Sequence, residues 1–302
     1  MRGKFRAVPT IHGVITAMVT PFTDDGDQVD FDAARSLARR LVDDGSHGLV
    51  VSPTTGEAPT LSDAEKLELL RAVTDEVGDR ATIICGTGTN DTRHSIELTA
   101  AACEAGADAV LVVTPYYNKP SREGLRAHFR AVAEAAGETP VVLYNIPSRV
   151  VINLPPEFLA ELAAEIDNVV AVKQANNDEL RAIAGLDVLA GNDEIFLRCL
   201  ELGGTGGILV SSHLVASEMR AIYESMEAGD GSRARELDAA LQPIYKAMTV
   251  ATNPIPIKAA LEMLGVIGGA MRLPMVPASQ DERTAIREAL EAHGLLIAGS
   301  TS

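Results

Sequence analysis

Residues 141–173 read VVLYNIPSRVVINLPPEFLAELAAEIDNVVAVK. Two short apolar runs, 141–144 and 169–173, bracket a longer segment that carries Pro155 and Pro156. The runs are rich in β-branched residues and do not alternate with polar ones, the pattern of strands buried on both faces. Paired prolines suit the first turn of a helix, where no backbone N–H is needed. Strand, helix, strand predicts a right-handed βαβ unit with parallel strands.

The same alternation extends in both directions. Similar runs fall at 14–19, 48–51, 82–85, 109–113, 188–191 and 206–210, making eight in all. The seventh, at 188–191, is weak by itself and draws support from its place in the series. Between the runs, Phe31, Ala34, Leu37, Ala38, Leu41 and Val42 form an apolar stripe at helical spacing. Ser62 followed by Glu65 is a capping-box signature for a helix carrying Leu67, Leu70, Ala72 and Val73. Asp91 or Thr92 caps a third helix, which runs to about Ala105 and stops at Gly106.

Eight such units predict an α/β fold, a closed (β/α)8 TIM barrel, which typically takes about 250 residues. The eighth helix is expected to end near 227–229, with further helices over 232–250, 256–264 and 280–293. We therefore expect a catalytic barrel over residues 1–229 and a helical C-terminal extension over 230–302. An open doubly wound sheet is the alternative, but no GxGxxG follows the first run.

Composition bounds the function. The chain has 302 residues, 46% of them hydrophobic, with 26 basic against 42 acidic side chains and a formal net charge of -16. Such an excess is repelled by phosphate backbones and anionic lipid, which argues against nucleic acid and membrane as partners. No apolar run reaches the ~18 residues of a membrane span, and the N-terminus lacks a signal-like stretch. Cys85, Cys103 and Cys199 match no metal or redox spacing, and Cys85 lies in an apolar run. A buried, inert Cys85 thiol and a reducing cytoplasm are the expectation.

In a barrel of this kind chemistry sits at the C-terminal ends of the strands. Those ends carry Thr54, Thr55, Gly56 and Glu57; Tyr116, Tyr117 and Asn118; Tyr144, Asn145 and Arg149; Lys173; and Gly191, Asn192 and Asp193. Lys173 closes a run of four apolar residues. Desolvation disfavours its ammonium form, and a neutral amine attacks a ketone carbonyl to form a Schiff base. A lysine that snorkels its charge to water is the competing reading. Three of the five tyrosines fall at strand ends. Tyr144 and Tyr117 are candidates for proton transfer, with Thr54 or Thr55 as relay, although packing tyrosines are common in barrels. Arg149 offers a planar fork to a carboxylate or a surface ion pair.

Other chemistries find less support. His12, His47, His94, His128, His213 and His293 contain no pair at metal-ligand spacing, which makes metal-based aldol chemistry less attractive. The glycine-rich residues 203–207 suit either a phosphate cradle or a tight turn.

These residues carry a resemblance to the dihydrodipicolinate synthase and N-acetylneuraminate lyase superfamily. It spans about 13–296 and rests on TAMVTPF from Thr16, TTGE from Thr54, GTGTN from Gly86, TPYYNKPS from Thr114, YNIPSR from Tyr144, VAVKQA from Val170 and TNPIPIKAAL from Thr252. Each piece is modest; their order and placement make the resemblance specific. It implies that Lys173 binds pyruvate as an imine and that Tyr144 shuttles protons, with Thr54 and Tyr117 completing a hydrogen-bonded triad. It implies that Thr55 holds the pyruvate carboxylate and that Ile208 and Gly191 line the site. It implies no metal or organic cofactor for catalysis. Tyr117 is implied to reach into a neighbouring subunit, in a homotetramer built as a dimer of dimers.

Within the superfamily, Arg149, YYNKPS and NPIPIK resemble the branch that condenses pyruvate with L-aspartate 4-semialdehyde, in lysine and diaminopimelate synthesis. Ala58, Gln174 and GNDEIF from Gly191 resemble the neuraminate lyases. A sialic acid or 2-keto-3-deoxy sugar acid lyase is therefore the nearest rival, and a non-catalytic keto-acid-binding protein the next. Metal-dependent aldol cleavage would predict loss of activity with chelator. Lysine-inhibited members place histidines and a glutamate where this chain has Asp63, Lys66 and His94, which implies weak or absent inhibition by lysine.

Overall fold

A computed structural model describes residues 11–297; the ends of the two expected regions, 1–10 and 298–302, lie outside the described residues. Eight parallel strands close into a barrel in sequence order. They are β1 (Gly13–Ala17), β2 (Gly48–Val51), β3 (Thr82–Gly86), β4 (Ala109–Val113), β5 (Val141–Asn145), β6 (Val169–Gln174), β7 (Asp187–Ala190) and β8 (Gly206–Leu209). β8 pairs back onto β1, with Ile15 opposite Ile208. All eight apolar runs of the sequence are strands, the weak seventh included.

Period-two alternation divides the apolar residues between two layers. Ile15, Val50, Ile84, Leu111, Val142, Leu189 and Ile208 share one buried cluster inside the barrel. Val14, Leu49, Val51, Ile83, Val110, Leu143 and Val172 belong to a second cluster, packed against the surrounding helices. Both faces of each strand are thus dry, which explains the unalternating runs.

The helices begin where local chemistry places them. The helix α1 (Phe31–Asp43) is capped by the Asp30 carboxylate, which accepts from the Ala33 N–H. For α2 (Asp63–Val77), Ser62 and Glu65 form the reciprocal capping box. Asp91, rather than Thr92, caps α3 (Thr92–Glu104), and Ser121 caps α4 (Arg122–Ala136). Beyond β5 come a single turn, α5 (Pro147–Val150), and then α6 (Pro156–Glu165), which opens on the proline pair. The helices α7 (Phe196–Glu201) and α8 (Ser212–Glu227) flank β8.

One unit differs from expectation. Between β6 and β7 the chain forms only a 3-10 turn, Asn177–Glu179, with no α-helix. The connection is short, and its Asn176 side chain accepts from the Asp178 N–H, closing a local turn that competes with helix. Three further helices follow the barrel: α9 (Gly231–Ala247), α10 (Ile255–Met263) and α11 (Gln280–Ala292). No helix among the described residues is long and apolar enough to cross a membrane. Burial pushes the Cys85 and Cys199 thiols up to about 12, so both are inert core groups.

The glycines at 203–207 serve packing. A Cβ on Gly206 would lie 2.2 Å from the Gly13 carbonyl oxygen, and one on Gly204 would lie 2.4 Å from Cys199 Sγ. They lead into β8 at the barrel end opposite Lys173, away from any site at the strand C-termini.

Candidate active site

Strand alternation decides which side chains face the barrel axis. Tyr144 on β5 and Lys173 on β6 are register partners, so both project inward at the same level. Lys173 is 3% exposed, and its Nζ lies 4.4 Å from the centroid of the Tyr144 ring. Burial pulls the Lys173 ammonium down to about 7; the Asp193 carboxylate opposes this and Arg149 reinforces it. Near neutral pH about half the population is therefore a free amine, a competent nucleophile. The snorkelling reading is disfavoured, because the side chain stays 3% exposed beside the Tyr144 ring instead of reaching to the surface.

Burial pushes the Tyr144 phenol up to about 12, against the field of Arg149 and a hydrogen bond with Thr54. It is a protonated phenol at rest, able to act as an acid first and as a base after giving up its proton. Thr114 holds the Tyr144 backbone in place. Its N–H and hydroxyl donate to the Tyr144 carbonyl at 3.1 and 2.9 Å.

The loop after β2 brings Thr54 to Tyr144 and buries Thr55 beside it. A cleft of about 570 Å³ opens above, lined among others by Thr54, Tyr116, Tyr144, Ile146 and Arg149. Arg149 is exposed at its edge, with its guanidinium donating to the Asn253 carbonyl at 3.0 Å and to the Thr252 hydroxyl at 3.5 Å. Ile208 is buried inside the barrel in the cluster that holds Tyr144. Gly191 stands where a Cβ would lie 2.8 Å from the Gln174 carbonyl oxygen, so the chain needs glycine to turn there.

Tyr117 does not join this group within one chain. It is 88% exposed, and it is Tyr116 that lines the cleft. Its backbone is left-handed, with φ at 72°. Ser52, Glu57, Lys119 and Val151 share that conformation, and all five follow β2, β4 or β5 at their C-terminal ends. Non-glycine residues enter this region at a cost of about 1 kcal/mol or more each, and such strain gathers at functional faces.

Sequence reading assigned no role to three groups. Asp193 is buried, accepts from the Val210 and Ser211 N–H groups and the Ser211 hydroxyl, and supplies the negative charge that Lys173 feels. Asn253 donates its side-chain amide to the Thr55 hydroxyl at 2.9 Å. Glu57 and Lys258 form a buried ion pair behind the same loop. Asp193 and Glu57 were marked by their places at strand ends, whereas the signal for Asn253 and Lys258 was membership of the TNPIPIKAAL motif. Gln174, which resembled the lyase branch, is fully buried, with its side-chain oxygen accepting from Asn145 Nδ2 and the Asn176 N–H. It braces β6 against β5.

Asp63 lies at the edge of the cleft with Lys66 and His94. Its carboxylate accepts from Lys66 Nζ at 3.3 Å and from His94 Nε2 at 2.7 Å. Among the described residues, no group of three or more His, Cys, Asp or Glu side chains is placed to hold a metal ion.

The profile of the Dihydrodipicolinate synthetase family matches residues 10–293. A 4-hydroxy-tetrahydrodipicolinate synthase of Synechococcus elongatus is 48% identical over 292 residues, which cover 94% of this chain and 97% of that relative. A crystal structure of the enzyme from Cyanidioschyzon merolae with lysine bound superposes with a TM-score of 0.91 at 39% identity, covering 94% of this chain and 99% of that one. The chloride-inhibited dihydrodipicolinate synthase of Acinetobacter baumannii complexed with pyruvate gives a TM-score of 0.92 at 37% identity, covering 95% and 100%.

Proposed function

The chain belongs to the dihydrodipicolinate synthetase family, and from that premise we propose its reaction and the residues that carry it. It acts as a class I aldolase-type lyase, condensing pyruvate with L-aspartate 4-semialdehyde to 4-hydroxy-tetrahydrodipicolinate, in lysine and diaminopimelate synthesis. The observation that supports the residue assignment best is the Lys173 amine, held to about 7 and seated against Tyr144.

Neutral Lys173 adds to C2 of pyruvate. Tyr144 gives its proton to the departing hydroxyl, and water leaves as the protonated imine forms. The resulting phenolate is then a base close enough to take a proton from C3, with the imine nitrogen accepting the electron pair to give the enamine. Enamine C3 bonds to the aldehyde carbon of the second substrate, and the new alkoxide takes a proton. The amine of that substrate attacks C2, the ring closes, and Lys173 departs. Thr54 relays protons to and from Tyr144, as its hydrogen bond to the phenol favours. Thr55 holds the pyruvate carboxylate, beside a site lined by Ile208 and Gly191. Arg149 pairs with the carboxylate of the aldehyde substrate at the edge of the cleft.

Tyr117 completes the relay in a second subunit. Its exposure and left-handed backbone favour a role outside its own barrel. The assembly is then a tetramer made as a dimer of dimers, working in the cytoplasm. Residues 1–229 form the catalytic barrel and 230–302 a helical extension that serves it. Inhibition by lysine is weak or absent, since Asp63 already satisfies Lys66 and His94 from within the chain.

Borohydride reduction with pyruvate, followed by mass spectrometry, tests the chemistry. An adduct on Lys173 is expected, and its absence refutes the imine. Product assays with aspartate semialdehyde and with N-acetylmannosamine test the second substrate. Turnover of the sugar alone would assign the chain to the lyase branch, and an adduct with no turnover would make it a binding protein.

A further inference from the structure

Residues 252–258, TNPIPIK, take no part in the chemistry above, yet they touch the site at three points. Lys258, on α10, places its Nζ 2.6 Å from Glu57 Oε1, and each side chain is 1% exposed. The same Nζ donates to the Ala270 carbonyl at 2.8 Å and sits 4.2 Å from the Phe22 ring centroid. Glu57 Oε2 accepts from the Arg272 N–H at 3.1 Å. The Arg272 guanidinium in turn binds the Glu65 carboxylate and the Gly26, Asp27 and Thr60 carbonyls. Two charges withdrawn from water are costly to separate, because either one left alone is an uncompensated buried charge, so the loop is held in the arrangement that keeps both matched. Glu57 is a left-handed residue two places after Thr55, held where an unsupported chain would relax.

The other end of the segment acts directly. Asn253 donates its side-chain amide to Thr55 Oγ1 at 2.9 Å, and its backbone carbonyl accepts from Arg149 at 3.0 Å. A hydroxyl that accepts there keeps its own proton to donate elsewhere, and a guanidinium anchored by one N–H group presents the remaining donors in a set direction.

We propose that residues 252–258 form the positioning element of the site. The Lys258–Glu57 pair seats the loop after β2, and Asn253 aims Thr55 and Arg149 at the carboxylates of the two substrates. Asn253, Lys258 and Glu57 are positioning residues and touch no reacting atom. The inference rests on the binding roles proposed for Thr55 and Arg149.

The test compares the full-length chain with Asn253→Ala, Lys258→Met and Lys258→Arg. Pyruvate is titrated while the borohydride-trapped adduct on Lys173 is counted by mass. Steady-state kcat and KM are measured for both substrates beside the melting temperature. Losing one aimed hydrogen bond raises the half-saturating pyruvate about tenfold in Asn253→Ala. KM for the aldehyde changes little in this variant, because the backbone carbonyl of residue 253 that accepts from Arg149 is kept; kcat and melting temperature change little too. Lys258→Met gives the same rise in the folded fraction, and Lys258→Arg recovers part of it. Wild-type half-saturation in Asn253→Ala overturns the proposal, as does a Lys258→Met chain that melts early with both KM values unchanged. If Lys258→Met does not fold, Asn253→Ala decides alone. No adduct in the wild-type chain removes the imine reading and the positioning role with it, an outcome distinct from an adduct whose pyruvate dependence the variants leave unmoved.

Discussion

Replacing Lys173 by Met should stabilise the protein while abolishing its chemistry. In the unfolded chain the lysine has its ordinary value of 10.5; in the barrel burial holds it at about 7. Between those values the unfolded chain carries a proton that the folded chain gives up. The depressed group therefore weighs against folding most heavily at and below pH 7, and the burden lifts as pH climbs toward 10.5. At about 1.4 kcal/mol per pH unit, the burden is about 4 kcal/mol near pH 7 and about 2 kcal/mol near pH 9. Met keeps the volume and carries no titrating group, and Asp193 keeps its three hydrogen bonds from Val210 and Ser211 in either chain. Urea unfolding of both chains, at matched protein concentration to hold subunit association constant, should show the variant ahead near pH 7. That lead should shrink by about 2 kcal/mol by pH 9. A lead that does not vary with pH, or a wild type more stable at pH 7, would refute the buried neutral amine.

Three further outcomes follow from the same geometry. In the wild-type chain kcat/KM for pyruvate should rise with pH through about 7, as the Lys173 amine becomes free, and then level; a stopped-flow pH series that is flat from pH 6 to 8 would contradict the value Lys173 holds. Tyr144→Phe should fold normally and lose roughly 10²–10⁴ in kcat, since only the phenolic hydroxyl is removed; near-wild-type turnover would take Tyr144 out of the relay. Arg149→Ala should raise KM for aspartate semialdehyde, with a loss of about 10–100-fold in kcat/KM for a charge-assisted hydrogen bond. An equal rise in KM for pyruvate would place Arg149 on the wrong carboxylate.

Much of this arrangement is legible along the chain because barrel strands report themselves. Residues buried on both faces read as continuous apolar runs, and strand ends locate the mouth of the barrel, so Lys173 and Tyr144 could be paired without coordinates. Helix starts were legible where a side chain meets its own backbone, as at Ser62 and Asp91. What stayed hidden is what depends on distant segments. Asn253 lies 198 positions from Thr55, and Lys258 lies 201 from Glu57; no local spacing marks either contact. The turn between β6 and β7 was read as a helix because the series demanded one, whereas its asparagines close a local turn. Tyr117 sits at a strand end like its neighbours, and only its backbone conformation turns it outward.

The clasp between Asn253 and Thr55 also sets an order of events during synthesis. A ribosome adds about 5–20 residues per second, so the partner of Thr55 emerges on the order of ten to forty seconds after it. All eight strands are translated well before then, and Lys173 with them. Until α10 arrives, however, the loop after β2 lacks the contacts that hold it, and Arg149 lacks its anchor. On the roles proposed above, Lys173 is synthesised early, while Thr55 and Arg149 wait for the last quarter of the chain to be set in place. The site is finished from the far end of the chain: a product cut short before Asn253 lacks both the Thr55 and the Arg149 contacts.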